Sequence, residues 1–351
     1  MKIFLLLGMH TRQVILLFLS LFLINSCDTT EPPVDDDNLQ PGRRDYVWTT
    51  DTLWTEDFFG ITNVWGSSPN SIWIVASGTS AKDCLWYYDG VKWTRYNQLL
   101  SSNLYTVFGV SSDEIWIGGE EGKIWRNRGN GWQLFQQITI TGYDRIIIAC
   151  IYSTTQNNLY AVGSADNYDG SGYKGIILKY DGTNWKLLNI PDLRVGFQRI
   201  KKMKNGKYLI SGENSDNGFL EKLFVFDGVS NLNEIYSDYA YPQLNEMNGE
   251  VYIVINRKIY KCINDKLELW KDFSSTSYHS TVLGRNEKDF FGAGYDGIMH
   301  YNGTDFKILF QTQLEKKGVL IFEKDVFFWA YTEEASGYNY IMIRGTLAND
   351  K

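Results

Sequence analysis

The residues of this chain that could take part in chemistry are few, and most of them are carboxylates. Glu120 and Glu121 form the most suggestive pair, because two carboxylates in different surroundings can divide the roles of general acid and general base. Adjacent residues in an exposed link between strands, however, point to opposite sides and are both hydrated. We therefore interpret this pair as a solvated turn, and we predict no catalytic residue.

The segment from Ser164 to Lys174 is an insertion with many oxygen-bearing side chains. With Gly170 at the glycine position of a calcium loop, Asp169 and Asn167 fit that pattern, but Ala165 stands where the first carboxylate should be. We therefore predict no metal here. Loops on rigid scaffolds carry function, and the two tyrosines of this loop could stack on a sugar or a peptide. The candidate ligand-contact residues are Asp166, Asn167, Tyr168, Asp169 and Tyr173.

Histidine and cysteine give no sign of a metal site or a nucleophile. After residue 26 the histidines are His279 and His300, and neither has another plausible ligand at a metal-binding spacing. Cys84, Cys150 and Cys262 form an odd set without Cys-x-x-Cys spacing, which argues against a disulfide framework. We expect these thiols to be buried apolar fillers, and we predict no metal and no other cofactor.

These residues are distributed over a unit that occurs seven times. Each copy combines an apolar strand, an aromatic-rich strand, a link with glycine and a strand that closes on Asp-Gly before Trp. Each unit therefore indicates four short strands. Self-similarity at a period of roughly 20 to 50 residues is typical of repeat architectures. The units begin near Val64, Val107, Ile151, Ile200, Leu244, Val282 and Val319.

Seven four-stranded units predict an all-β fold, a seven-bladed β-propeller around a central channel. The seventh unit supplies three strands and stops before a fourth. Near the other end of the chain, residues 46–53 have the pattern of a fourth strand with nothing before it. We predict that this N-terminal strand completes the last blade. Closure of the ring would remove an exposed sheet edge that invites pairing with other chains.

Turn residues separate the predicted strands at regular positions. Asp89-Gly90, Asp181-Gly182, Asp227-Gly228 and Asn302-Gly303 predict two-residue hairpin turns. Aspartate in such turns can accept hydrogen bonds from the local backbone. We therefore interpret these carboxylates as turn formers and not as catalytic groups.

One unit carries a resemblance to known propeller families. Its Ile115-Trp116-Ile117-Gly118-Gly119 strand, with Ile124-Trp125 and the distal Trp132, resembles a Kelch blade. With Glu121-Gly122-Lys123, the same stretch looks like the propeller repeats in sensor regions of two-component regulators. The resemblance covers residues 46–347. It implies a propeller that binds proteins or glycans, since only a minority of these families are enzymes.

The start of the chain predicts export from the cytoplasm. Lys2 and Arg12 precede an apolar run that is too short for a membrane span of roughly 20 residues, which is typical of a signal peptide. The true start is Met1 or Met9. The segment Ile24-Asn25-Ser26-Cys27 resembles a bacterial lipobox, which implies that Cys27 is lipidated.

The predicted organisation is a lipoprotein signal peptide at 1–26, a disordered acidic tether at 27–44 and the propeller at 45–348. The tether is too polar to bury a core. Acyl chains on Cys27 would hold the protein on a membrane, so we expect it in the cell envelope, at the outer membrane, facing the periplasm or the cell surface. A net charge of −7 and a pI near 5.2 give no basic footprint for nucleic acid.

We therefore predict a monomeric, membrane-tethered binding or scaffolding module whose ligand is a protein or a glycan. The alternative is a carbohydrate-active enzyme with acidic residues of several blades over the channel. Two carboxyl groups roughly 5 to 10 Å apart in a deep central pocket would indicate that enzyme. A third possibility is a purely structural envelope protein, which would have neither a cleft nor an aromatic platform.

Overall fold

The chain folds into seven four-stranded antiparallel sheets. The computed structural model describes residues 39–96, 98–155, 158–214, 218–334 and 337–349. Among these residues the only helical segment is a 3-10 turn at Ala81–Asp83. The sheets are the blades of a β-propeller, so the predicted all-β, seven-bladed architecture is confirmed.

Blades 1 to 3 each consist of four consecutive strands, whereas the first strand of the chain belongs to the last blade. In chain order the strands are β1 (Tyr46–Thr55); β2 (Phe59–Ser68), β3 (Ser71–Gly78), β4 (Leu85–Tyr88) and β5 (Trp93–Arg95) of blade 1; β6 (Leu104–Ser111), β7 (Glu114–Gly119), β8 (Lys123–Asn127) and β9 (Trp132–Gln137) of blade 2; and β10 (Arg145–Ser153), β11 (Leu159–Asp166), β12 (Tyr173–Tyr180) and β13 (Trp185–Leu187) of blade 3.

Blades 4 to 6 repeat this arrangement, and blade 7 supplies three further strands. The strands are β14 (Gly196–Lys202), β15 (Tyr208–Asn214), β16 (Leu220–Phe226) and β17 (Leu232–Asp238) of blade 4; β18 (Gln243–Met247), β19 (Glu250–Ile255), β20 (Lys258–Ile263) and β21 (Lys266–Asp272) of blade 5; β22 (Tyr278–Asn286), β23 (Asp289–Gly294), β24 (Gly297–Tyr301) and β25 (Phe306–Gln311) of blade 6; and β26 (Glu315–Ile321), β27 (Asp325–Glu334) and β28 (Gly337–Leu347) of blade 7.

The first strand of each blade is the innermost one. These seven strands contact one another in sequence, and β26 contacts β2, which closes the ring. Each of the seven predicted unit starts, from Val64 to Val319, lies in one of these inner strands. The repeat therefore sets the position of the channel wall directly.

Strand β1 closes the ring, as predicted. It pairs antiparallel with β28 over its whole length, from Tyr46 opposite Leu347 to Thr55 opposite Tyr338. Leu53 is completely buried between blades 7 and 1. The outermost strand of blade 7 therefore comes from the opposite end of the chain from the other three.

Because the strands of a blade alternate in direction, the loops alternate between two faces of the disc. We call AB face the face with the loops from first to second and from third to fourth strand. The BC face carries the loops from second to third strand and the links between blades. Both described chain ends lie at the AB face, where the Gly42 amide donates to the Lys288 carbonyl (2.8 Å) and the Leu347 amide to the Lys324 carbonyl (2.8 Å).

The predicted N-terminal features fall mostly outside the described residues. The signal peptide, the lipidation site at Cys27 and the tether up to residue 38 are not among them. At the end of the stretch that was interpreted as tether, Arg44 donates hydrogen bonds to Asp305 and to the carbonyl of His300 (3.0 Å to each acceptor oxygen). No helix of the described residues is long and apolar enough to cross a membrane.

The Asp-Gly turns are hydrogen-bonded as predicted, but they are longer than two residues. The Asp89 carboxylate accepts from the backbone amides of Val91 and Lys92 at 2.8 Å each, and Asp181 does the same two blades further on. Four residues, and not two, separate β4 from β5, because the carboxylate organises the two amides that follow the glycine. Gly90 adopts φ +92°, a conformation that glycine enters without strain.

Side chains join neighbouring blades near the channel and at the rim. On the inner strands, Asn63 Oδ1 accepts from the Val107 amide of the next blade (2.9 Å), and Thr106 Oγ1 accepts from Ile151 (3.0 Å). At the rim, Gln136 binds both backbone groups of Trp185 in the next blade. These bonds satisfy backbone groups that an isolated blade would leave unpaired.

Candidate functional site: the channel mouth

The predicted ligand loop of blade 3 is held mainly by its own contacts. Asp166 is buried and forms an ion pair with Arg145 (Oδ1–Nε 2.7 Å). Asn167 accepts from the backbone of Asp144 (3.0 Å), and Asp169 accepts from the backbone of Ser171 (2.8 Å). These bonds fix the loop and engage three of the five predicted residues.

The two predicted tyrosines of that loop differ in exposure. Tyr168 is 74% exposed on the BC face, with the Arg145 guanidinium 5.8 Å from its ring centroid. Tyr173 is half-buried and donates to the carbonyl of Glu213 (3.4 Å). None of the five predicted residues lines the cavities described next, so the structure does not bring this loop to the channel.

Two adjoining cavities lie at the centre of the propeller and at its BC face. The channel cavity, about 320 Å³, is lined by inner-strand residues of all seven blades. The mouth cavity, about 990 Å³, opens on the BC face and is lined by blades 5, 6 and 7 and the links before them. The cavities share Tyr241, Gln243, Lys317 and Trp329, which we call the junction.

Exposed aromatic side chains distinguish the two faces. Among the described residues, every aromatic residue in the exposed class lies in a loop, link or strand end of the BC face, whereas Val91, Val229 and Ile263 represent the AB face. Aromatic rings with one free face are suited to stacking on a ligand. The exposed aromatic residues are Trp54, Phe58, Tyr168, Phe219, Tyr239, Tyr241 and Tyr295.

Lys317 lies at the junction without a counter-ion. Burial lowers its pKa from 10.5 to about 8, and the positive charge of Arg199 across the channel lowers it further in the same direction. Arg199 itself uses Nη1 to donate to the carbonyl of Gln198 (2.8 Å). Within the described part of the chain, neither cation forms an ion pair.

Tyr241 adds a hydroxyl group to the same junction. Its side chain is 45% exposed and lines both the mouth cavity and the channel cavity. Burial raises the pKa of Tyr241, while Arg199 lowers it and Glu221 raises it. Tyr241 and Lys317 thus both lie within the electrostatic reach of Arg199.

The carboxylates of the two cavities are outnumbered and partly occupied. Five Lys or Arg residues but only Glu246 and Glu315 line the cavities. Glu246 accepts from the Tyr152 hydroxyl (3.1 Å) and from Lys201 (3.3 Å). Among the described residues, no group of His, Cys, Asp and Glu is arranged to hold a metal ion.

Glu120 and the cysteines, which were considered for chemistry on the basis of the sequence, have structural surroundings in the fold. Glu120 is not a fully solvated turn residue, because it accepts from Ser101 (2.8 Å) and Asn103 (2.7 Å) and so holds the link between blades 1 and 2. Burial raises the pKa of Cys84 to about 12, as expected of an apolar filler. Cys150 and Cys262 differ from the expectation, since both are partly exposed, and Cys150 lines the channel cavity.

Glu221 lies in blade 4 behind Tyr241 and provides a first testable prediction. It is 7% exposed, its Oε2 has no hydrogen-bond partner in the described structure, and it stands opposite Glu213 in the sheet. Burial, and secondarily Glu213, raise the pKa of Glu221 from 4.5 to about 7. The folded state therefore binds more protons than the unfolded state between these values, and its stability falls as the pH rises through 7.

We expect Glu221→Gln to raise the free energy of unfolding by about 1 to 3 kcal/mol at about pH 8 and to leave it nearly unchanged at about pH 4. Denaturant unfolding at both pH values measures the difference. The control is Glu234→Gln, because Glu234 is an exposed partner of Lys222 and its removal should change little at either pH. An equal gain for Glu221→Gln at both pH values would contradict the raised pKa.

Sequence reasoning missed the junction and its neighbour Arg199 because they belong to four separate segments of the chain. Tyr241 and Gln243 lie at the start of blade 5, Lys317 lies in β26, Trp329 in β27 and Arg199 in β14. One signal was available: Arg199 directly precedes a unit start, the position at which blades 1 and 2 carry neutral Asn63 and Thr106. A charge at such a position points into the channel.

Comparisons with known proteins support the fold. No protein-family model and no curated protein sequence matches the chain. Among solved structures it is similar to YCF48 bound to D1 peptide, with TM-score 0.57, 14% identity, and coverage of 89% of this chain and 100% of that one.

The chain is also similar, at lower scores, to two carbohydrate-active proteins. For polysaccharide lyase Uly1 the TM-score is 0.49, with 9% identity, over 82% of this chain and 90% of that one. For the GH74 xyloglucanase from Xanthomonas campestris it is 0.47, with 11% identity, over 78% and 50%. At 14% identity, the similarity to the YCF48 structure shows the β-propeller fold and nothing of the activity.

Proposed function

We propose that this chain is a binding module whose ligand, a protein or a glycan, occupies the mouth of the channel on the BC face. The observation that carries this proposal is the concentration of exposed aromatic residues on the BC face, where Tyr241 and Tyr295 line a large cavity. Ligand sites are typically concave, with apolar and aromatic walls and a few convergent polar groups. The AB face offers no comparable set of rings in the described structure.

The carboxylates of the cavities favour binding over glycoside cleavage. A glycosidase needs two carboxyl groups free to exchange protons or attack the sugar. Of the two carboxylates that line the cavities, Glu246 is engaged by Lys201 and Tyr152. We therefore do not propose the carbohydrate-active enzyme as the function.

We further propose that the protein is a monomeric lipoprotein of the bacterial cell envelope, tethered through Cys27 and residues 27–44. The position of β1 supports this topology, since the residues just before it lie at the AB face. A tether attached there would leave the BC face accessible. We also propose that the protein is related to Kelch and two-component sensor propellers. Tyr168, which is exposed on the BC face, is proposed as a further ligand contact.

The test uses the purified protein against glycan arrays and cell-envelope protein extracts, followed by affinity measurement for each hit. We expect Tyr241→Ala to weaken binding about tenfold, because it removes both a stacking face and a hydroxyl from the junction. The matched control is Val229→Ala, an exposed residue of the AB face. A ligand whose affinity depends on Val229 and not on Tyr241 would refute the proposed face.

A further inference from the structure

The cavities of this protein concentrate positive charge in an acidic molecule. The whole chain has a net charge of −7, yet Lys and Arg outnumber Glu by five to two along the two cavities. Low-dielectric walls focus the field of such a cluster into the opening. The field at the mouth therefore favours anions and opposes cations.

Not all of these cations are available to a ligand. Lys201 is engaged by Glu246 (3.3 Å), and Lys316 is buried, where it donates to the carbonyls of Gly294 (2.7 Å) and Thr312 (3.0 Å). Of the three cations that remain, Arg257 lies in the BC loop of blade 5 and donates to the carbonyl of Thr276 (3.5 Å). Arg199 and Lys317 have no carboxylate partner among the described residues. These two side chains therefore form a pair of cations whose positive charges no carboxylate of the described residues neutralises.

The cost of that arrangement is visible in Lys317. Burial and the nearby guanidinium of Arg199 both disfavour its protonated form. An anion placed between the two side chains would attract both cations, which offsets the repulsion between Lys317 and Arg199. It would also form charge-assisted hydrogen bonds, roughly twice as strong as neutral ones, which compensate for the burial of the Lys317 ammonium group. The site thus has a physical reason to bind an anionic group.

The shape of the cavities indicates how that group arrives. Lys317 lies where the mouth cavity, about 990 Å³, narrows to the channel cavity of about 320 Å³. A chain passing across the face would not reach this depth, whereas the end of a chain would. Tyr241 and Trp329 line the same junction and can flank a ring-shaped terminal residue.

The lining of the mouth favours a carbohydrate over a peptide. Side chains such as Asn256, Ser280 and Gln313 can both donate to and accept from hydroxyl groups. A peptide that binds as an added strand needs a free sheet edge. Inner-edge amides of the blades are already bonded to side chains of their neighbours, as Thr281 and Val282 are to Gln243 and Asn245.

We propose that the ligand is an acidic oligosaccharide and that its terminal uronic acid enters the junction, where Arg199 and Lys317 bind the carboxylate. The sugar ring lies beside Tyr241 and Trp329, and the following residues occupy the mouth cavity. This inference rests on the proposed function and specifies the ligand class of the same site.

The test is calorimetric titration of the purified protein with uronic-acid tetrasaccharides: galacturonate, guluronate and hyaluronan types. Each is paired with its carboxyl-reduced form, and an acidic octapeptide is the third arm. We expect at least one uronic-acid probe to bind, with affinity about tenfold or more above that of its reduced form. Affinity should fall as salt rises.

Variants locate the charge. Lys317→Gln and Arg199→Gln should each lose about tenfold in affinity for the acidic probe and little for the reduced form. The matched control is Lys324→Gln, in the AB loop of blade 7. Neutralising Lys317 removes a disfavoured charge, so the variant is expected to fold at least as stably as the parent protein.

The pH dependence separates Lys317 from the other titratable or charged groups of the cavities. These are Cys150, Tyr152, Arg199, Lys201, Tyr241, Glu246, Arg257, His279, Tyr295, Glu315 and Lys316. Because the pKa of Lys317 is about 8, affinity should fall between about pH 7 and pH 9.5. Lys317→Arg keeps its charge across this range and should keep the affinity. A decline that persists in Lys317→Arg would assign the titration to another group and overturn the role of Lys317.

The outcomes distinguish the inference from the proposed function. Equal binding of acidic and reduced sugars, or binding of the octapeptide alone, overturns the inference, while sensitivity to Tyr241→Ala still supports the mouth as the binding site. Failure of every uronic-acid probe to bind also overturns the inference. Binding that Tyr241→Ala leaves unchanged overturns the proposed function itself.

Discussion

A chain that begins at Glu56, and so lacks β1, is expected to lose cooperative folding. The deletion removes ten antiparallel residue pairs with β28 and the completely buried Leu53. Truncating a buried leucine alone costs about 2 to 5 kcal/mol, and whole domains are stable by only about 5 to 15 kcal/mol. The deletion also exposes the edge of β28, which invites pairing with other chains.

Thermal unfolding and size-exclusion chromatography measure this effect. A chain beginning at Arg43 is the control, because it keeps β1 and should melt as the longer protein does. A synthetic peptide of residues 43–57, added to the truncated chain, should restore a cooperative transition by pairing with β28. A truncated chain that melts like the control would show that β1 does not close the ring.

Point variants test the same contact without deletion. Leu53→Asp places a charge in the interior between blades 7 and 1, whereas Thr52→Asp places it on the exposed face of the same strand. We expect Leu53→Asp to lower the free energy of unfolding strongly and Thr52→Asp to lower it only slightly. This pair also checks the register, because a shift by one residue would exchange the two faces.

Asp289→Ala is expected to destabilise the protein by about 3 to 5 kcal/mol, since it breaks a buried charged network. Asp289 Oδ1 lies 2.8 Å from Nε2 of His300, which is completely buried, and its Oδ2 lies 3.2 Å from Nη1 of Arg285. Arg44 donates to Nδ1 of His300 (3.4 Å), so His300 carries its donated proton on Nε2. Loss of Asp289 leaves this N–H without an acceptor.

The pH dependence of this variant is fixed by the pKa of Asp289. Burial would raise that pKa, but the hydrogen bond from His300 and the charge of Arg285 outweigh it and lower the pKa below 3.8. A carboxylate of this kind contributes stability above its unfolded pKa and loses it as the pH falls through the folded value. The difference between the parent protein and Asp289→Ala should therefore be full at about pH 7 and shrink below about pH 4.

Denaturant unfolding across this range measures that difference. Asp305→Ala is the matched control, because Asp305 binds Arg44 (3.0 Å) but is 61% exposed, and an exposed ion pair contributes about 0 to 1 kcal/mol. Equal losses for the two variants at neutral pH would contradict the importance of the buried network. So would a loss for Asp289→Ala that does not change with pH.

The fold was predictable from the sequence because its signals are local and repeated. Each inner strand contains a unit start such as Val64, and each Asp-Gly turn organises its own backbone amides. Even the long-range pairing of β1 could be inferred, since residues 46–53 had the pattern of a fourth strand and the last unit lacked one. Because the units repeat, counting the strands of each unit was enough to predict this distant contact.

The candidate site was less predictable because it depends on which segments the ring brings together. Arg199 and Lys317 are separated by three blades in the chain, and the sequence around each of them does not indicate that the two side chains lie near each other. The composition of the loop 166–173 predicted a ligand contact, but Asp166, Asn167 and Asp169 form bonds that fix the loop itself. The repeat identifies the strands that form the channel wall, but it does not show which of their side chains meet across the channel.

The emergence of both described chain ends at the AB face determines how the disc can be mounted. An affinity tag or a fused partner joined next to either of these ends would therefore be attached at the AB face and not at the BC face. Because β1 is the outermost strand of blade 7, tension applied N-terminal to it would act on the contacts of Gly42 and Arg44 with blade 6 and then on the ladder between β1 and β28. The same ten pairs that close the circle would then also bear the mechanical load.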